Sequence, residues 1–402
     1  PDHSLAALAN DRPLPQGEGG EQARLAVSRL VLTNFRSYAR VEIAASGRPV
    51  VLVGSNGAGK TNVLDAISML APGRGLRGAT LSDHTRREPA SSDALWAVAA
   101  TVTRGTQSHD IGTGLLAGGS GGLSRQVRLN GAIAQGSADL GELIQMAWLT
   151  PAMDRLFIEG ASGRRRFLDR LVLSFEPGHA RQALRYEQAM RERARLLKFG
   201  PRDPAWLEGL ESQMAESGVA LALSRAVAIE RLNRALAERG QAGAFPCAQL
   251  SLDGAFDAMV AERGESAIAA ARERLAQLRV SDAQSGRTGF GPHISDLTVR
   301  HTAKRTNARE CSTGEQKALL VSIVLAHAWE HAHVREGLAP ILLLDEIAAH
   351  LDGVRRAALF EEILALGTQA WMTGTDPETF APLARRADLY AVENSRIRPI
   401  AE

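Results

Sequence analysis

The chain has 402 residues, too many for one simple core, so two domains or one domain with a large insertion are expected. Its two cysteines argue against a disulfide framework and favour a reduced, cytoplasmic location. No apolar run is long enough for a membrane span, and residues 1–24 have the composition of a disordered tail, not of a secretory signal. The net charge of +2 does not by itself indicate a nucleic-acid binder.

The first part of the chain has a β-rich pattern. Val50–Val53 is wholly apolar, which is typical of a strand buried on both faces. Ala94–Thr103 and Arg125–Ile133 also have strand patterns, and an Asn-Gly pair in the second predicts a hairpin turn. We interpret the glycine-rich stretch Gly112–Gly122 between them as a loop. An antiparallel layer is therefore expected here.

From about Met153 to Val280 the apolar residues recur with a helical period. One predicted helix begins behind a Ser162 cap, and another begins after Asp203-Pro204, where the aspartate caps and the proline suits the first helical position. Prolines and glycines interrupt this stretch repeatedly. It therefore predicts a compact helical lobe and no long coiled coil.

After Asp282 the pattern alternates between strand and helix. Ile341–Leu344 predicts a second buried strand, Asp352–Leu366 a helix, Ala370–Thr373 a strand and Tyr390–Ile400 a closing hairpin. Alternation of this kind favours a largely parallel sheet, which distant parts of the chain complete together. The predicted fold class is therefore α/β.

A phosphate-binding loop follows the first buried strand. Residues 54–61 read GSNGAGKT and satisfy the full pattern G-x-x-x-x-G-K-[ST] between a strand and a helix. Glycines let backbone N–H groups surround phosphate oxygens, while Lys60 reaches the β- and γ-phosphates of ATP and Thr61 coordinates Mg²⁺. The candidate nucleotide-binding residues are Gly54, Ser55, Asn56, Gly57, Ala58, Gly59, Lys60 and Thr61.

Two acids follow the strand Ile341–Leu344. Asp345 is expected on the magnesium side, which leaves Glu346 free to polarise the attacking water as general base. An acid at the end of a buried strand is a weak signal alone. Together with the phosphate loop it predicts nucleotide hydrolysis, with Lys60 also contributing to catalysis.

The third motif, STGEQK, begins at Ser312. Ser312 and Glu315 predict a capping box, so a well-capped helix is one interpretation. The other is an anion site, because a hydroxyl and the Gly314 N–H at a helix start attract anions. The order of phosphate loop, this motif and the acidic pair is typical of ABC ATPases, whose signature contacts would come from Ser312, Gly314 and Gln316, with Asp352 in the position of the D-loop acid.

Some expected parts of an ABC site have weaker signals. Gln145 is a candidate for the glutamine that senses magnesium. Thr373 and Thr375 stand where transporter ABC proteins have a switch histidine, so no catalytic histidine is expected. Three histidines lie close together in the chain, and helical spacing alone accounts for them without a metal. They are His327, His331 and His333.

Basic residues are concentrated between Arg164 and Lys198. A basic helical face of this kind could track DNA phosphates. Pairs at helical spacing, such as Glu187–Arg191, support a solvated face with internal ion pairs equally well. The candidate DNA-binding residues are Arg164, Arg165, Arg166 and Arg185.

Eight segments of the chain resemble the RecF family, in order, from about Leu25 onward. They are LTNFRSY (32–38), GSNGAGKTNVLDAI (54–67), GRGLR (73–77), GRRRFLD (163–169), GPH (291–293), STGEQKALL (312–320), LLLDEIAAHLD (342–352) and TGTD (373–376). The resemblance implies an ABC-type ATPase head with a helical second lobe. It also implies slow, DNA-dependent hydrolysis and a head-to-tail homodimer, in which Ser312, Gly314 and Gln316 complete the γ-phosphate site of the other subunit.

The same resemblance implies a role in recombinational gap repair, with binding to double-stranded and gapped DNA and RecA loading together with RecO and RecR. Two other hypotheses remain. The first is an ATPase that drives a membrane transporter, although the chain has no LSGGQ-type sequence. The second is a DNA clamp without enzymatic function, in which ATP only joins two subunits.

These observations predict four segments. They are a tail (1–24), the first part of the ATPase head with the phosphate loop and β layer (25–150), the helical lobe (151–280), and the second part of the head with the signature motif, acidic pair and D-loop (281–402).

Overall fold

The computed structural model describes residues 24–87, 95–117, 122–200, 203–239 and 243–400. The predicted tail lies outside these ranges except for its last residue. The strands are β1 (Leu25–Phe35), β2 (Tyr38–Ala44), β3 (Val50–Val53), β4 (Ala97–Arg104), β5 (Gln107–Ala117), β6 (Leu123–Leu129), β7 (Ala132–Ile133), β8 (Met146–Leu149), β9 (Ala248–Asp253), β10 (Asp296–His301), β11 (Thr306–Asn307), β12 (Ile341–Leu344), β13 (Ala370–Gly374), β14 (Asp388–Glu393) and β15 (Arg396–Pro399). The α-helices are α1 (Lys60–Ser68), α2 (Leu140–Leu143), α3 (Ala161–Phe175), α4 (His179–Phe199), α5 (Pro204–Arg239), α6 (Ala255–Arg263), α7 (Ala267–Gln277), α8 (Arg279–Ser285), α9 (Thr313–Val334) and α10 (Gly353–Leu366).

The central sheet has the strand order β15-β14-β3-β13-β12-β8. Its strands pair in parallel except for the β14–β15 hairpin, which confirms the predicted alternation and the closing hairpin. Val50 and Leu52 face one apolar core, and Val51 and Val53 face another. Both faces of β3 are therefore covered, which is why its sequence is apolar at every position.

An antiparallel layer with the order β2-β1-β4-β5-β6-β7 covers one face of the central sheet, with α1 between them. The interpretation of Gly112–Gly122 as a loop was wrong up to residue 117, because β5 pairs with both β4 and β6. Its buried residues Ile111, Thr113 and Leu115 alternate with the two glycines. A Cβ on Gly114 would lie 3.0 Å from the Trp96 carbonyl oxygen, so glycine marks a close approach here and not a loop.

The helical lobe contains α3 to α8, as its period predicted, and its described residues form no long coiled coil. It also contains a strand that the sequence did not predict, because β9 pairs antiparallel with β10 in a small separate sheet. The predicted Ser162 cap was wrong, since α3 begins at Ala161 with Gly160 as its N-cap residue. The start of α5 at Pro204 was correct, and Asp203 Oδ1 accepts a hydrogen bond from the Ala205 N–H at 3.0 Å.

Helices α9 and α10 pack on the other face of the central sheet, in a core that also includes α3 and α5. The capping box at the start of α9 is present, with Ser312 and Glu315 bonded reciprocally as predicted. Asp352 caps α10 by accepting a hydrogen bond from the Arg355 N–H at 2.9 Å. Among the described residues, no helix combines the length and apolar character that a membrane crossing needs.

Candidate nucleotide site

The phosphate loop connects β3 to α1 at the edge where the parallel strands end. Gly57 and Gly59 have left-handed backbone conformations, with φ of +82° and +112°. A Cβ on Gly54 would lie 2.2 Å from the Val392 carbonyl oxygen. The glycines of the motif are therefore required by backbone shape and close packing, before any ligand is considered.

Lys60 is buried at the start of α1 and folds back across its own loop. Its Nζ donates to the carbonyl oxygens of Gly54 at 2.6 Å and Ser55 at 2.9 Å. Burial lowers the pKa of the Lys60 ammonium, and the nearby carboxylates Glu346 and Asp345 act in the opposite direction. This is the position from which the ammonium can reach the β- and γ-phosphates of a bound nucleotide.

Asp345 follows β12 and brings two hydroxyl groups together. Its Oδ1 accepts hydrogen bonds from Thr61 Oγ1 at 2.9 Å and Thr373 Oγ1 at 2.8 Å. Burial raises the pKa of Asp345, and these two hydrogen bonds partly oppose the shift. No basic side chain of a described residue lies within ion-pair distance of this carboxylate. It is thus a buried acid without a cation of its own.

Glu346 has a left-handed conformation, with φ of +56°, which is uncommon for a residue with a side chain. Its N–H donates to Thr373 Oγ1 at 2.9 Å, so one threonine connects the backbone of Glu346 to the carboxylate of Asp345. A strained conformation of this kind persists only where the surroundings fix it, and such positions concentrate at functional sites.

These groups fit Mg²⁺ with a nucleotide. Magnesium is usually held by one or two carboxylates together with substrate phosphates and water, and not by a cage of protein ligands. Asp345 and Thr61 supply a carboxylate and a hydroxyl beside the phosphate loop. Within the part of the chain that the structure describes, no group of three or more histidines, cysteines or acids could hold a metal.

The start of β2 supports the phosphate loop, a role that the sequence did not reveal. The Tyr38 hydroxyl donates to the Gly59 carbonyl oxygen at 3.1 Å, and Asn62 Nδ2 donates to Ser37 Oγ at 2.9 Å. Ser37 and Tyr38 both belong to the segment LTNFRSY (32–38), which resembles the RecF family. Because these contacts join positions 21 and 25 residues apart, no local pattern in the sequence predicts them.

The signature motif lies at the start of α9. Ser312 and Gly314 are exposed, whereas Gln316 is 1% exposed and its Nε2 donates to the Cys311 carbonyl oxygen at 2.8 Å. In the described ranges, no hydrogen bond or ion pair joins residues 312–317 to residues 54–61. The exposed hydroxyl and glycine are thus free to meet another molecule, while Gln316 shapes the loop from inside.

Gln145 does not lie at the magnesium site. It precedes β8, and its carbonyl oxygen accepts from the Ile341 N–H at 2.9 Å, at the edge where the parallel strands begin. Its Nε2 donates to the Gly141 carbonyl oxygen at 2.7 Å. Asp345 is at the opposite edge, so the candidate magnesium-sensing role for Gln145 was wrong.

Comparisons with known proteins decide the family. Residues 26–398 match the model of the RecF/RecN/SMC N-terminal domain. The chain is 48% identical to the DNA replication and repair protein RecF of Rhizobium etli (strain CIAT 652), over 93% of this chain and 99% of that protein. It is also 48% identical to RecF of Mesorhizobium japonicum, over 94% of this chain and 98% of that protein. The chain belongs to the RecF family.

Solved structures show the RecF fold. The recombination mediator protein RecF-ATPrS of the RecFOR pathway superposes with a TM-score of 0.80 at 20% identity, covering 94% of this chain and 99% of that one. An Smc head domain from Pyrococcus furiosus gives a TM-score of 0.51 at 17% identity, covering 94% and 96%. The predicted ABC-type head with an antiparallel layer and a helical lobe is confirmed. The transporter hypothesis receives no support from this family.

The arginine stretch of this RecF-family chain does not form the continuous basic face that its sequence indicated. Arg193 is fully buried, and the Arg170 guanidinium lies 4.1 Å from the centre of the Trp148 ring. Arg191 pairs with Glu187 at 3.5 Å, as helical spacing predicted. Helix packing therefore uses several of these charges inside the lobe.

The four candidate DNA-binding arginines have different surroundings. Arg164 makes two hydrogen bonds with Asp296, at 2.7 and 2.8 Å, and Arg165 donates to the Ser295 carbonyl oxygen at 2.6 Å. Arg185 forms an exposed ion pair with Glu216 at 3.1 Å. Arg166 is exposed, and no hydrogen bond or ion pair joins it to another described residue. The guanidinium groups of Arg164 and Arg165 are engaged within the fold, so DNA contact stays a prediction best suited to Arg166 and Arg185.

Proposed function

We propose that this chain is a slow ATPase that binds ATP and Mg²⁺ between its phosphate loop and Asp345. The observation that carries the proposal is the contact of the Thr61 hydroxyl with the Asp345 carboxylate at 2.9 Å, since these are the two groups that hold the metal in P-loop enzymes. Lys60 neutralises the phosphates, and Glu346 orients and deprotonates the attacking water. Burial of the unpaired acid Asp345 supports a bound cation as its missing partner.

We also propose that ATP joins two copies head to tail. Ser312 and Gly314 are exposed at the start of a long helix, where the positive end of the helix dipole favours an anion. Within the described ranges, no hydrogen bond or ion pair joins them to the phosphate loop of their own chain. The γ-phosphate on a second copy would complete this site, with Gln316 holding the loop in shape and Asp352 near the contact.

The biological role follows the relatives' names. They are DNA replication and repair proteins, and one solved relative is a recombination mediator of the RecFOR pathway. We propose that the ATP-joined pair binds double-stranded and gapped DNA in the cytoplasm and acts with RecO and RecR in RecA loading. DNA stimulates hydrolysis, which resets the pair. A clamp without hydrolysis remains the second candidate, because the position of Glu346 allows ATP hydrolysis but does not determine its rate.

The decisive experiment is light scattering after size exclusion, with ATP, Mg²⁺ and gapped DNA. Glu346→Gln is expected to hold a dimer in ATP and to lower hydrolysis by about 100-fold or more, because general-base catalysis is worth about that much. Lys60→Met is expected to abolish both dimer and DNA binding. Glu262→Gln, an exposed acid on α6, serves as the matched control and should behave as the parent.

The outcomes separate the hypotheses. A Glu346→Gln protein that stays monomeric in ATP would contradict the shared site. A parent protein that dimerises on DNA without measurable phosphate release would leave the clamp as the better description.

A further inference from the structure

One ion pair connects the start of α9 to the segment that follows β8. Lys317 comes directly after the signature motif, and its Nζ lies 2.8 Å from Asp154 Oδ2. The Lys317 side chain is 9% exposed and that of Asp154 is 37% exposed. A pair this sheltered is screened less than a surface pair, and removing one partner leaves the other charge uncompensated.

The other polar contacts of this helix end are local. The capping box joins Ser312 to Glu315, and Glu315 pairs with Lys304. Gln316 bonds to the backbone of Cys311. Among the described residues, Lys317 therefore makes the polar contact that ties the signature end of α9 to a distant part of the chain.

The segment that carries Asp154 begins at the end of the central sheet where the phosphate loop and Asp345 lie. We call this end of the sheet the nucleotide edge. We call residues 150–160 the bridging segment. The strand before it, β8, lies beside β12, and the Leu149 carbonyl oxygen accepts a hydrogen bond from the Asp345 N–H at 2.9 Å. Asp154 lies in the short 3-10 turn Pro151–Arg155 that follows. Asp154, which holds Lys317, is thus only five positions after Leu149, the backbone partner of Asp345.

The far end of the bridging segment is fixed to the helical lobe. Arg164 Nη1 donates to the Leu156 carbonyl oxygen at 3.1 Å, while its Nε and Nη2 bind Asp296. The segment is therefore held to α9 by the ion pair of Asp154 with Lys317, and to the helical lobe by a backbone carbonyl that accepts from Arg164. A displacement at the nucleotide edge has a direct covalent and ionic route to α9.

We propose that Asp154 and Lys317 form a positioning pair, through which the nucleotide edge of one subunit sets the place of the signature loop that the same subunit offers to its partner. The inference rests on the proposed head-to-tail dimer and names the regulation of its two sites. Lys317 does not touch the nucleotide, because its ammonium is sheltered and engaged by Asp154. The pair makes occupancy of one site favour the other, so hydrolysis by the dimer is cooperative in ATP.

The test uses the full chain with Asp154→Asn, Lys317→Met and the double variant. For two coupled sites the parent should show a Hill coefficient approaching about 2 in ATP hydrolysis. Each single variant should bind ATP as a monomer within about two-fold of the parent. It should dimerise about 10-fold more weakly and show a Hill coefficient near 1, as loss of a typical coupling energy predicts. The double variant should match the single variants, because all three lose the same contact.

Lys304→Met is the matched control. It removes the lysine between β10 and β11 that pairs with Glu315 at the same helix end, but that lysine does not bond to the bridging segment. Its cooperativity should equal that of the parent. If Lys317→Met unfolds, Asp154→Asn decides alone, since a partly exposed amide of the same shape leaves the fold intact.

The possible failures are distinguishable. A parent protein that stays monomeric with ATP would overturn the proposed dimer and this inference with it. A cooperative parent whose Asp154→Asn variant remains equally cooperative would overturn the inference alone. The same holds if the losses of the two single variants simply add in the double variant.

Discussion

Two buried clusters of charge differ in how completely the protein neutralises them. In the helical lobe, Arg193 Nε donates to Glu211 at 3.0 Å, Nη1 donates to Asp282 at 2.7 Å, and Nη2 donates to the Leu275 carbonyl oxygen at 2.7 Å. At the nucleotide edge, Asp345 accepts from the hydroxyls of Thr61 and Thr373, and no basic side chain among the described residues lies within ion-pair distance of it. The first cluster is complete within the chain, and the second is not.

The difference separates a structural cluster from a ligand site. A buried charge is stable when partners of opposite charge and hydrogen bonds satisfy it, which is the case for Arg193. Asp345 has a raised pKa because burial opposes its ionised form, and hydroxyl donors offset this only in part. The protein retains a charge that it does not compensate itself, which is expected where a bound cation supplies the compensation.

The largest expected effect is on the complete cluster. Arg193→Met leaves Asp282 buried without its ion-pair partner and leaves Glu211 with Arg279 alone, so the free energy of unfolding should fall by about 3–5 kcal/mol. ATP affinity should not change, because no member of this cluster lies near the phosphate loop. Urea unfolding and equilibrium ATP binding measure the two quantities.

Arg191→Met, on the same helix, is the control for this variant. Its ion pair with Glu187 is exposed on both sides, so its loss should cost less than about 1 kcal/mol. Equal destabilisation by the two variants would contradict the distinction between a buried, complete cluster and a surface pair.

Substitution in the incomplete cluster around Asp345 should reduce ATP hydrolysis without lowering the stability of the nucleotide-free protein. Asp345→Asn removes the acid that would face magnesium, and hydrolysis should fall by about 100-fold or more, since the metal supplies several kcal/mol of transition-state stabilisation. The nucleotide-free protein should not lose stability. The folded-state pKa of Asp345 lies above its ordinary value, so at neutral pH its ionised form opposes folding, and an amide removes that opposition.

Steady-state phosphate release and urea unfolding without nucleotide test this second prediction. A variant that hydrolyses ATP as fast as the parent would remove Asp345 from the site. A variant that is strongly destabilised without nucleotide would make the carboxylate a structural group, like those around Arg193.

The same comparison explains what the sequence predicted. Phosphate loop, acidic strand end and capping box depend on residues close together in the chain, so each could be recognised locally. Arg193 finds its partners 18 and 89 residues away, and nothing local shows that a basic position on a helix is an internal one. The number of basic residues between Arg164 and Lys198 therefore predicted a basic surface, whereas packing places part of that charge inside the helical lobe.

The missed strands have a related cause. In β5, glycines alternate with the buried residues Ile111, Thr113 and Leu115, and glycine content was interpreted as a loop. In β9, Ala248 and Leu250 alternate with polar residues over too short a stretch to stand out within a helical region. Both strands are defined by their partners β4, β6 and β10, which only the folded chain brings beside them.

The smallest predicted effect concerns two buried histidines on α9, His327 and His331, which have no ion-pair partner among the described residues. Burial lowers the pKa of His327 to about 3 and that of His331 to about 4, from an ordinary value near 6.5. His331 Nε2 lies 3.1 Å from the Ser174 carbonyl oxygen, and His327 contacts the same turn of α3. As pH falls below 6.5, these histidines become protonated in the unfolded chain but stay neutral in the folded chain. The free energy of unfolding therefore falls until the pH reaches their pKa in the folded chain.

At pH 5 each of these two histidines should lower the free energy of unfolding by about 2 kcal/mol relative to pH 7.5. Exchange of one for glutamine should flatten the pH dependence of the unfolding free energy by that amount, whatever it does to stability at pH 7.5. Exposed His333, on the same helix, is the control, and His333→Gln should leave the slope as it is in the parent. If His331→Gln and His333→Gln change the slope equally, burial on α9 does not decide which histidines oppose protonation.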